Sequence, residues 1–167
     1  MIVNEKAQGL INPEDQRQGP NCGITAIAVA TGISFDKSWN LHKQVNFRKR
    51  DGRWKGSTHD GERKLVLHKL KIKFVNHICY NKFNFKYKKS SVVPFSHYPI
   101  TLRKYIELNC NKTSTYIITT TGHVQVVKGK SVVDQGGVKT IEEFWGRNKK
   151  VVSVIEILKK FGEKNDN

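Results

Sequence analysis

The pattern of apolar residues in the N-terminal half of the chain is typical of helices. Residues 23–31 (GITAIAVAT) are apolar on nearly every side, so a helix here must be buried from several directions. A buried strand would also be apolar throughout, but the three alanines favour a helix. Gly32 is placed to end this helix in a left-handed cap, and Ser34 is placed to cap a second helix.

The next apolar residues predict two more helices with a strand between them. Ser57 followed by Asp60 resembles a capping box and predicts a helix through Leu70. Residues 72–78 then have the composition of a strand. Thr101 introduces a fourth helix, in which apolar residues recur with helical spacing.

The C-terminal part changes character and is rich in β-branched residues. Four runs of this kind predict strands at 114–120, 123–127, 131–134 and 151–158. Helices first and an antiparallel sheet afterwards is an α+β arrangement.

The length of 167 residues suits a single domain, which we expect to span residues 1–158. Within it, the pattern predicts a helical lobe over about 16–110 and a sheet lobe over about 111–158. The polar residues 159–167 are expected to form a flexible tail.

Several classes of protein are disfavoured by composition. There is no run of about 18 or more apolar residues, so no membrane-spanning helix is predicted. The N-terminus lacks the basic start and apolar block of a secretory signal, and the three cysteines are too scattered for a disulfide framework. We therefore expect a cytoplasmic protein that is not secreted. The spacing of Cys and His fits no zinc motif, and neither a metal nor a cofactor is predicted.

The charge of the chain is strongly positive and unevenly distributed. Thirty Lys and Arg residues stand against 14 Asp and Glu residues, which gives a net charge of +16. Residues 43–89 contain fifteen of these bases and only three acids, so this segment carries +12 of the total. Such a field attracts nucleic acid, an acidic protein or a substrate with acidic side chains.

Cys22 stands directly before the predicted buried helix and follows Gly19-Pro20-Asn21. Unpaired amides and the helix dipole stabilise an anion at this position, which lowers the pKa of a cysteine and favours the nucleophilic thiolate. Gly23 is expected to keep the backbone beside Cys22 open to a substrate. The alternative is a small buried cysteine that only packs the core.

Residues 123–134 have the pattern of a β-hairpin with a tight turn near Gly129. A turn at Lys128-Gly129 places His123 directly opposite Asp134, and a turn at Gly129-Lys130 makes them diagonal neighbours on the same face. In both registers the imidazole reaches the carboxylate, which would fix its tautomer and leave the other ring nitrogen free as a base. An ordinary polar pair on the surface is the alternative.

Cys22, His123 and Asp134 occur in the order of nucleophile, base and orienting acid that a thiol acyl-transfer enzyme needs. Gln16, six residues before Cys22, offers a side-chain N–H to a developing oxyanion. Gln18 is the rival candidate for this role.

Two segments resemble a known family. Gln16-Arg-Gln-Gly-Pro-Asn-Cys22-Gly is similar to the nucleophile segment of papain-like cysteine peptidases, and is closest to bacteriocin-leader peptidases and to small papain-like proteins of bacteriophages. Residues 115–124, followed by Gly129 and Asp134, resemble the His-bearing hairpin of the phage group. Those families have Gln six positions ahead of the Cys, which favours Gln16 as the oxyanion residue.

The resemblance implies a papain-like α+β fold with its active site in a cleft. A helical lobe headed by Cys22 would form one side, and an antiparallel sheet carrying His123 and Asp134 would form the other. It implies a phage-encoded cysteine peptidase acting on a protein or peptide inside an infected cell. Isopeptide cleavage and transglutamination use the same order of residues and remain open.

A non-enzymatic binding module is the main rival interpretation. The basic segment 43–89 contains seven aromatic residues from Phe47 to Tyr87. Lysine and arginine neutralise phosphates while exposed aromatic rings stack on bases, so the segment suits nucleic acid. An acidic host protein would fit the same charge. Alternation of Phe83, Phe85 and Tyr87 with polar residues is equally typical of a half-buried strand.

Overall fold

The computed structural model describes residues 19–45, 54–77 and 100–160. Within these ranges the chain forms four helices and one six-stranded antiparallel sheet, so the α+β prediction is confirmed. The elements in chain order are α1 (Cys22–Thr31), α2 (Phe35–Gln44), α3 (Asp60–Lys69), β1 (Ile72–His77), α4 (Leu102–Asn109), β2 (Thr115–Thr120), β3 (His123–Lys128), β4 (Ser131–Asp134), β5 (Gly137–Thr140) and β6 (Val151–Lys160). No helix among the described residues has the length and apolar character to cross a membrane.

Three helix boundaries lie where local sequence placed them. Gly32 ends α1 in the left-handed region at φ 72°, and its N–H donates to Ala28 O at 2.9 Å. Ser34 caps α2 by accepting a hydrogen bond from a backbone N–H at 3.2 Å. Thr101 caps α4 in the same way at 3.4 Å. Such caps satisfy backbone groups that the helix itself leaves unpaired.

The predicted capping box at Ser57 and Asp60 is wrong. Helix α3 begins at Asp60, and its capping box is formed by His59 and Glu62. The His59 backbone N–H donates to Glu62 Oε2 at 2.8 Å. Glu62 is the long acid usual at this position, whereas Asp60 lies at the first position of the helix.

The strands lie in the order β1-β6-β2-β3-β4-β5, and each neighbouring pair is antiparallel. Strand β5 was not predicted, because Gly136-Gly137 suggested only a turn. Asp134 pairs with Gly137, so the chain reverses within two residues and immediately pairs again. Gly137 has a φ of 93°, a backbone conformation that glycine adopts freely and that would be strained in a residue with a side chain.

Both faces of the sheet are buried, because helices pack on each side of it. Alternate residues of the strands point to two separate cores, for example Ile117 to the first and Ile118 to the second. The first core includes residues of α1 and α3 and the second includes residues of α4. The prediction of one helical lobe over 16–110 is therefore wrong for α4, which packs across the sheet from α1.

The first and last strands of the sheet in chain order, β1 and β6, also differ from prediction. Strand β1 lies within the predicted helical lobe, yet it pairs with β6 at the edge of the sheet. Ile72 pairs with Lys160, so β6 includes the first two residues of the predicted tail, which was expected to begin at 159. Residues 161–167, the rest of that tail, lie outside the described residues.

Candidate functional site

The first residue of α1 meets the first residues of β3. The side chain of Cys22 shares a hydrogen bond with that of His123 and accepts a second from the backbone N–H of Val124. Helix α1 has no acidic residue in its first turn, so nothing there opposes an anion. The structure therefore brings together the predicted nucleophile and the predicted base, which lie a hundred residues apart in sequence.

His123 and Asp134 are also in contact, through the second of the two predicted registers. Val126 pairs with Val133 and Lys128 with Ser131, so the turn is Gly129-Lys130 and the register with a Lys128-Gly129 turn is wrong. Gly129 takes a φ of 58°, which suits glycine at the first central position of a tight hairpin turn. His123 Nε2 lies 2.9 Å from Asp134 Oδ2.

The carboxylate of Asp134 is held by three hydrogen bonds. Oδ2 faces His123 Nε2 and also accepts from Trp145 Nε1 at 3.3 Å. Oδ1 accepts from the Gly136 backbone N–H at 2.8 Å. The side chains of His123 and Asp134 are only 10% and 5% exposed, so water screens this pair little.

These contacts change the charges of the pair. Burial lowers the pKa of His123, but the hydrogen bonds and negative charges of Asp134 and Cys22 outweigh it and raise that pKa to about 9. Burial raises the pKa of Asp134, yet the hydrogen bonds from His123 and Gly136 hold it below its usual value. Near neutral pH the imidazole is therefore protonated and the carboxylate ionised.

The pKa of the Cys22 thiol changes in the opposite direction to that of His123. Burial raises the pKa of Cys22, but the hydrogen bond and charge of His123, the Val124 N–H and the charge of Arg63 together lower it below its ordinary value. Because Nε2 of His123 is bonded to Asp134, Nδ1 is the ring nitrogen left for the sulfur. The arrangement favours a thiolate–imidazolium pair, the reactive form of a nucleophilic cysteine.

Arg63 is a component of the site that the sequence did not indicate. Its side chain on α3 is 2% exposed and lies against the first turn of α1. A Cβ added to Gly23 would overlap Thr58 Oγ1 and lie 3.1 Å from Arg63 Nη1. Gly23 is therefore needed mainly for close packing against Thr58, with Arg63 beside it, and the expectation that it leaves space for a substrate is wrong.

Trp145 is a second component that was not predicted. Its ring centroid lies 5.0 Å from that of His123, and its side chain remains 54% exposed. The ammonium of Lys149 lies 4.5 Å from the indole centroid and donates to Thr121 O at 3.1 Å. The residues between β5 and β6 thus form an aromatic and cationic rim beside His123. No local pattern in the sequence identifies this packing.

Gln135 ties the segment before Cys22 to the sheet. Its side-chain amide donates to Gly19 O at 3.0 Å and to the side-chain oxygen of Asn21. Asn21 has no side-chain bond to the helix that it precedes, because its oxygen is engaged with Gln135. Residues next to two members of the site therefore fix Cys22 relative to Asp134.

The predicted oxyanion residues Gln16 and Gln18 lie outside the described residues. In the part that is described, the backbone N–H groups at the start of α1 are the donors nearest in sequence to the sulfur. No group of three or more His, Cys, Asp or Glu residues suited to a metal ion occurs in the ranges 19–45, 54–77 and 100–160.

Comparison with protein-family models, with curated proteins and with solved structures finds no match to this chain.

Proposed function

We propose that the protein is a thiol hydrolase that cleaves a peptide or isopeptide bond with Cys22, His123 and Asp134. The observation that carries the proposal is the continuous contact from the Cys22 sulfur through the His123 ring to the Asp134 carboxylate. A surface His–carboxylate pair would explain one of these contacts, but not a partly buried thiol on the other ring nitrogen. The opposite pKa changes of Cys22 and His123 support the same assignment.

In the first step the thiolate of Cys22 attacks the carbonyl carbon of the scissile amide. A C–S bond forms, and the carbonyl electron pair moves to oxygen, where the backbone N–H of Cys22 would stabilise it. When the intermediate collapses, the C–N bond breaks and the proton of His123 passes to the leaving nitrogen. The products are a free amine and a thioester on Cys22.

In the second step water attacks the thioester carbonyl. His123, now neutral, accepts a proton from the water, and Asp134 stabilises the imidazolium that forms. The C–S bond then breaks, releasing a carboxylic acid and restoring the thiolate–imidazolium pair. An amine in place of water would give transamidation by the same steps, so the acceptor distinguishes a peptidase from a transglutaminase.

The proposal includes a papain-like architecture. Its support is that the nucleophile heads a buried helix on one side, while His123 and Asp134 lie on neighbouring antiparallel strands on the other. We also propose, from the resemblance of two sequence segments, that the protein is phage encoded and acts in the cytoplasm of the infected cell.

The rim beside His123 favours a substrate with acidic side chains. Trp145 offers an exposed indole face, and Lys149 lies over it without a carboxylate partner among the described residues. An acidic side chain on the bound peptide would pair with this ammonium and neutralise part of the positive field.

The test is covalent labelling followed by hydrolysis. A peptidyl vinyl sulfone carrying Glu is expected to label Cys22, as located by mass spectrometry, and Cys110 should remain unlabelled. A mixed peptide library incubated with the wild-type protein should then yield new carboxyl termini that the Cys22→Ala variant does not produce. Incorporation of an added amine into those termini would indicate acyl transfer instead of hydrolysis.

The matched control is Cys110→Ala, because Cys110 is also partly buried and outside any disulfide, but lies at the end of α4 and packs on the second core. It should retain both labelling and hydrolysis. Equal labelling of Cys22 and Cys110, or labelling of Cys22 that persists in His123→Ala, would refute the proposed hydrolase.

A basic binding surface remains the second candidate, supported by the turn between α3 and β1. Lys69, Lys71 and Lys73 are all exposed there, and Lys71 holds a φ of 55°, which is uncommon for a residue other than glycine. Binding of a mixed DNA and RNA panel should then weaken steeply with salt and be unaffected by Cys22→Ala. Replacement of all three lysines by Gln should abolish it.

A further inference from the structure

Arg63 is buried as a charged group, which requires a reason because an arginine stays protonated in proteins. Its Nη1 donates to Thr58 O at 3.2 Å and to Thr58 Oγ1 at 2.9 Å, and its Nη2 donates to Thr119 Oγ1 at 3.0 Å. Its Nε has no hydrogen-bond partner among the described residues. These three neutral acceptors help to hold the guanidinium in one position, although a cation is buried there.

The carboxylates of Asp60 and Glu62 both act on Arg63, and among the described residues Asp60 is the one that forms an ion pair with it. Asp60 Oδ1 lies 3.4 Å from Arg63 Nη2 and also accepts from Ser153 at 3.1 Å. The other oxygen of Asp60 lies closer to a different cation, Lys64, at 2.6 Å. Asp60 is shared between two cations, so Arg63 keeps a positive field on the side away from Asp60.

Arg63 also lies beside the start of α1, the helix that carries the nucleophile. Nη1 packs against the backbone at Gly23, the residue after Cys22 and part of the first turn of α1. His123 from β3 and Arg63 from α3 are the two charged side chains that contribute most to lowering the pKa of Cys22. A fixed cation there adds to the positive end of the helix dipole.

We infer that Arg63 is a positioning residue of this site, whose buried charge holds Cys22 as a thiolate independently of the protonation of His123. The inference rests on the proposed function for the identity of the nucleophile and deepens it by separating two sources of activation. His123 supplies a proton that it later transfers, whereas Arg63 supplies a charge that never titrates in the working range. The thiolate of the free protein is then stabilised whether or not His123 carries its proton.

The test measures alkylation of Cys22 by iodoacetamide from pH 4 to 10, followed by mass spectrometry of the Cys22 peptide. Arg63→Gln removes the charge and keeps an amide donor, and it should raise the pH midpoint of alkylation by about one unit. Arg63→Lys restores a cation without the planar fork and should recover more than half of that change.

The matched structural control is Thr119→Val, which removes the tie between Arg63 and β2 but leaves the charge. It should lower the melting temperature without moving the alkylation midpoint. A folded Arg63→Gln with the wild-type midpoint, or a Thr119→Val midpoint that moves as far as that of Arg63→Gln, would overturn the inference.

If Arg63→Gln does not fold, Asp60→Asn decides the matter. Removal of the opposing carboxylate should strengthen the field of Arg63 and lower the midpoint, and an unchanged or raised midpoint would refute the role of Arg63. A wild-type midpoint at the ordinary value for a cysteine would refute the proposed function as well. A low wild-type midpoint that is the same in Arg63→Gln would refute this inference alone.

Discussion

Two histidine–carboxylate pairs occur among the described residues, and both join neighbouring antiparallel strands. His123 and Asp134 lie 2.9 Å apart between β3 and β4, and His77 and Glu156 lie 2.7 Å apart between β1 and β6. The hydrogen bonds are thus nearly the same length. The surroundings differ, since the first pair is 10% and 5% exposed and the second is 38% and 17% exposed.

The difference between the pairs lies in what else each histidine touches. His123 also contacts a thiol at the start of a helix and an indole that bonds its carboxylate. The ring neighbour of His77 is Tyr116, at 6.3 Å, which offers no nucleophile at neutral pH. A His–carboxylate pair alone is therefore weak evidence for catalysis, and a buried third group on the free ring nitrogen makes it strong.

The largest expected effect comes from removing each histidine in turn. At pH 6, His123→Ala should slow alkylation of Cys22 about a hundredfold, because the thiol loses its main counter-charge and reverts toward an ordinary cysteine pKa. His77→Ala should leave the rate within about twofold, since His77 lies on the edge strand β1, three strands away from β3. Rates are measured by mass spectrometry of the Cys22 peptide. Equal effects of the two variants would remove the distinction between the pairs.

The pH dependence of hydrolysis should reflect the raised pKa of His123 in its buried pair with Asp134. The proton that the leaving nitrogen needs is present below the pKa of His123, which is about 9, and is lost above it. The rate on a cleaved peptide should therefore fall about tenfold per pH unit above pH 9. The stability that this raised pKa contributes has the same sign: it is complete below pH 6.5 and disappears as the pH rises through about 9. An alkaline decline that begins near pH 6.5 would contradict the raised pKa.

Neutralising the carboxylate of each pair tests the difference between the two pairs with a smaller expected effect. Asp134→Asn keeps a hydrogen-bond acceptor for His123 but loses the charge, so the pKa of His123 should fall by about one unit or more. Glu156→Gln should not change the pKa of His123. Both are followed by NMR titration of the His123 ring protons. A response of His123 to Glu156→Gln would mean that the two pairs are coupled through the sheet.

The smallest effect is expected from Trp145→Phe. This change keeps an aromatic ring against His123 and removes the 3.3 Å hydrogen bond to Asp134. Loss of one long hydrogen bond to a charged group should reduce hydrolysis about threefold to tenfold. Trp39→Phe is the matched control, because the Trp39 ring packs on Trp54, whereas the Trp145 ring packs on His123. A larger loss in Trp39→Phe than in Trp145→Phe would contradict a special role for the Trp145 indole.

The amino-acid sequence by itself determined the local elements of this protein. Caps at Ser34, Gly32 and Thr101 depend on a side chain and its nearest backbone groups, so a short window of sequence contains the information. The sequence of the hairpin likewise determined that His123 and Asp134 share a face, because either turn near Gly129 leaves them on the same side of the sheet. The α+β class followed from the change in apolar period along the chain.

Tertiary structure decided whatever depends on elements that are distant in sequence. The side of the sheet that α4 occupies, the pairing of β1 with β6 and the approach of Arg63 to the first turn of α1 are examples. Each arises because buried surfaces are matched over the whole fold, and no short segment encodes that match. The same reason explains why Gly23, which was expected to leave space for a substrate, instead lies where a Cβ would overlap the Thr58 hydroxyl beside Arg63.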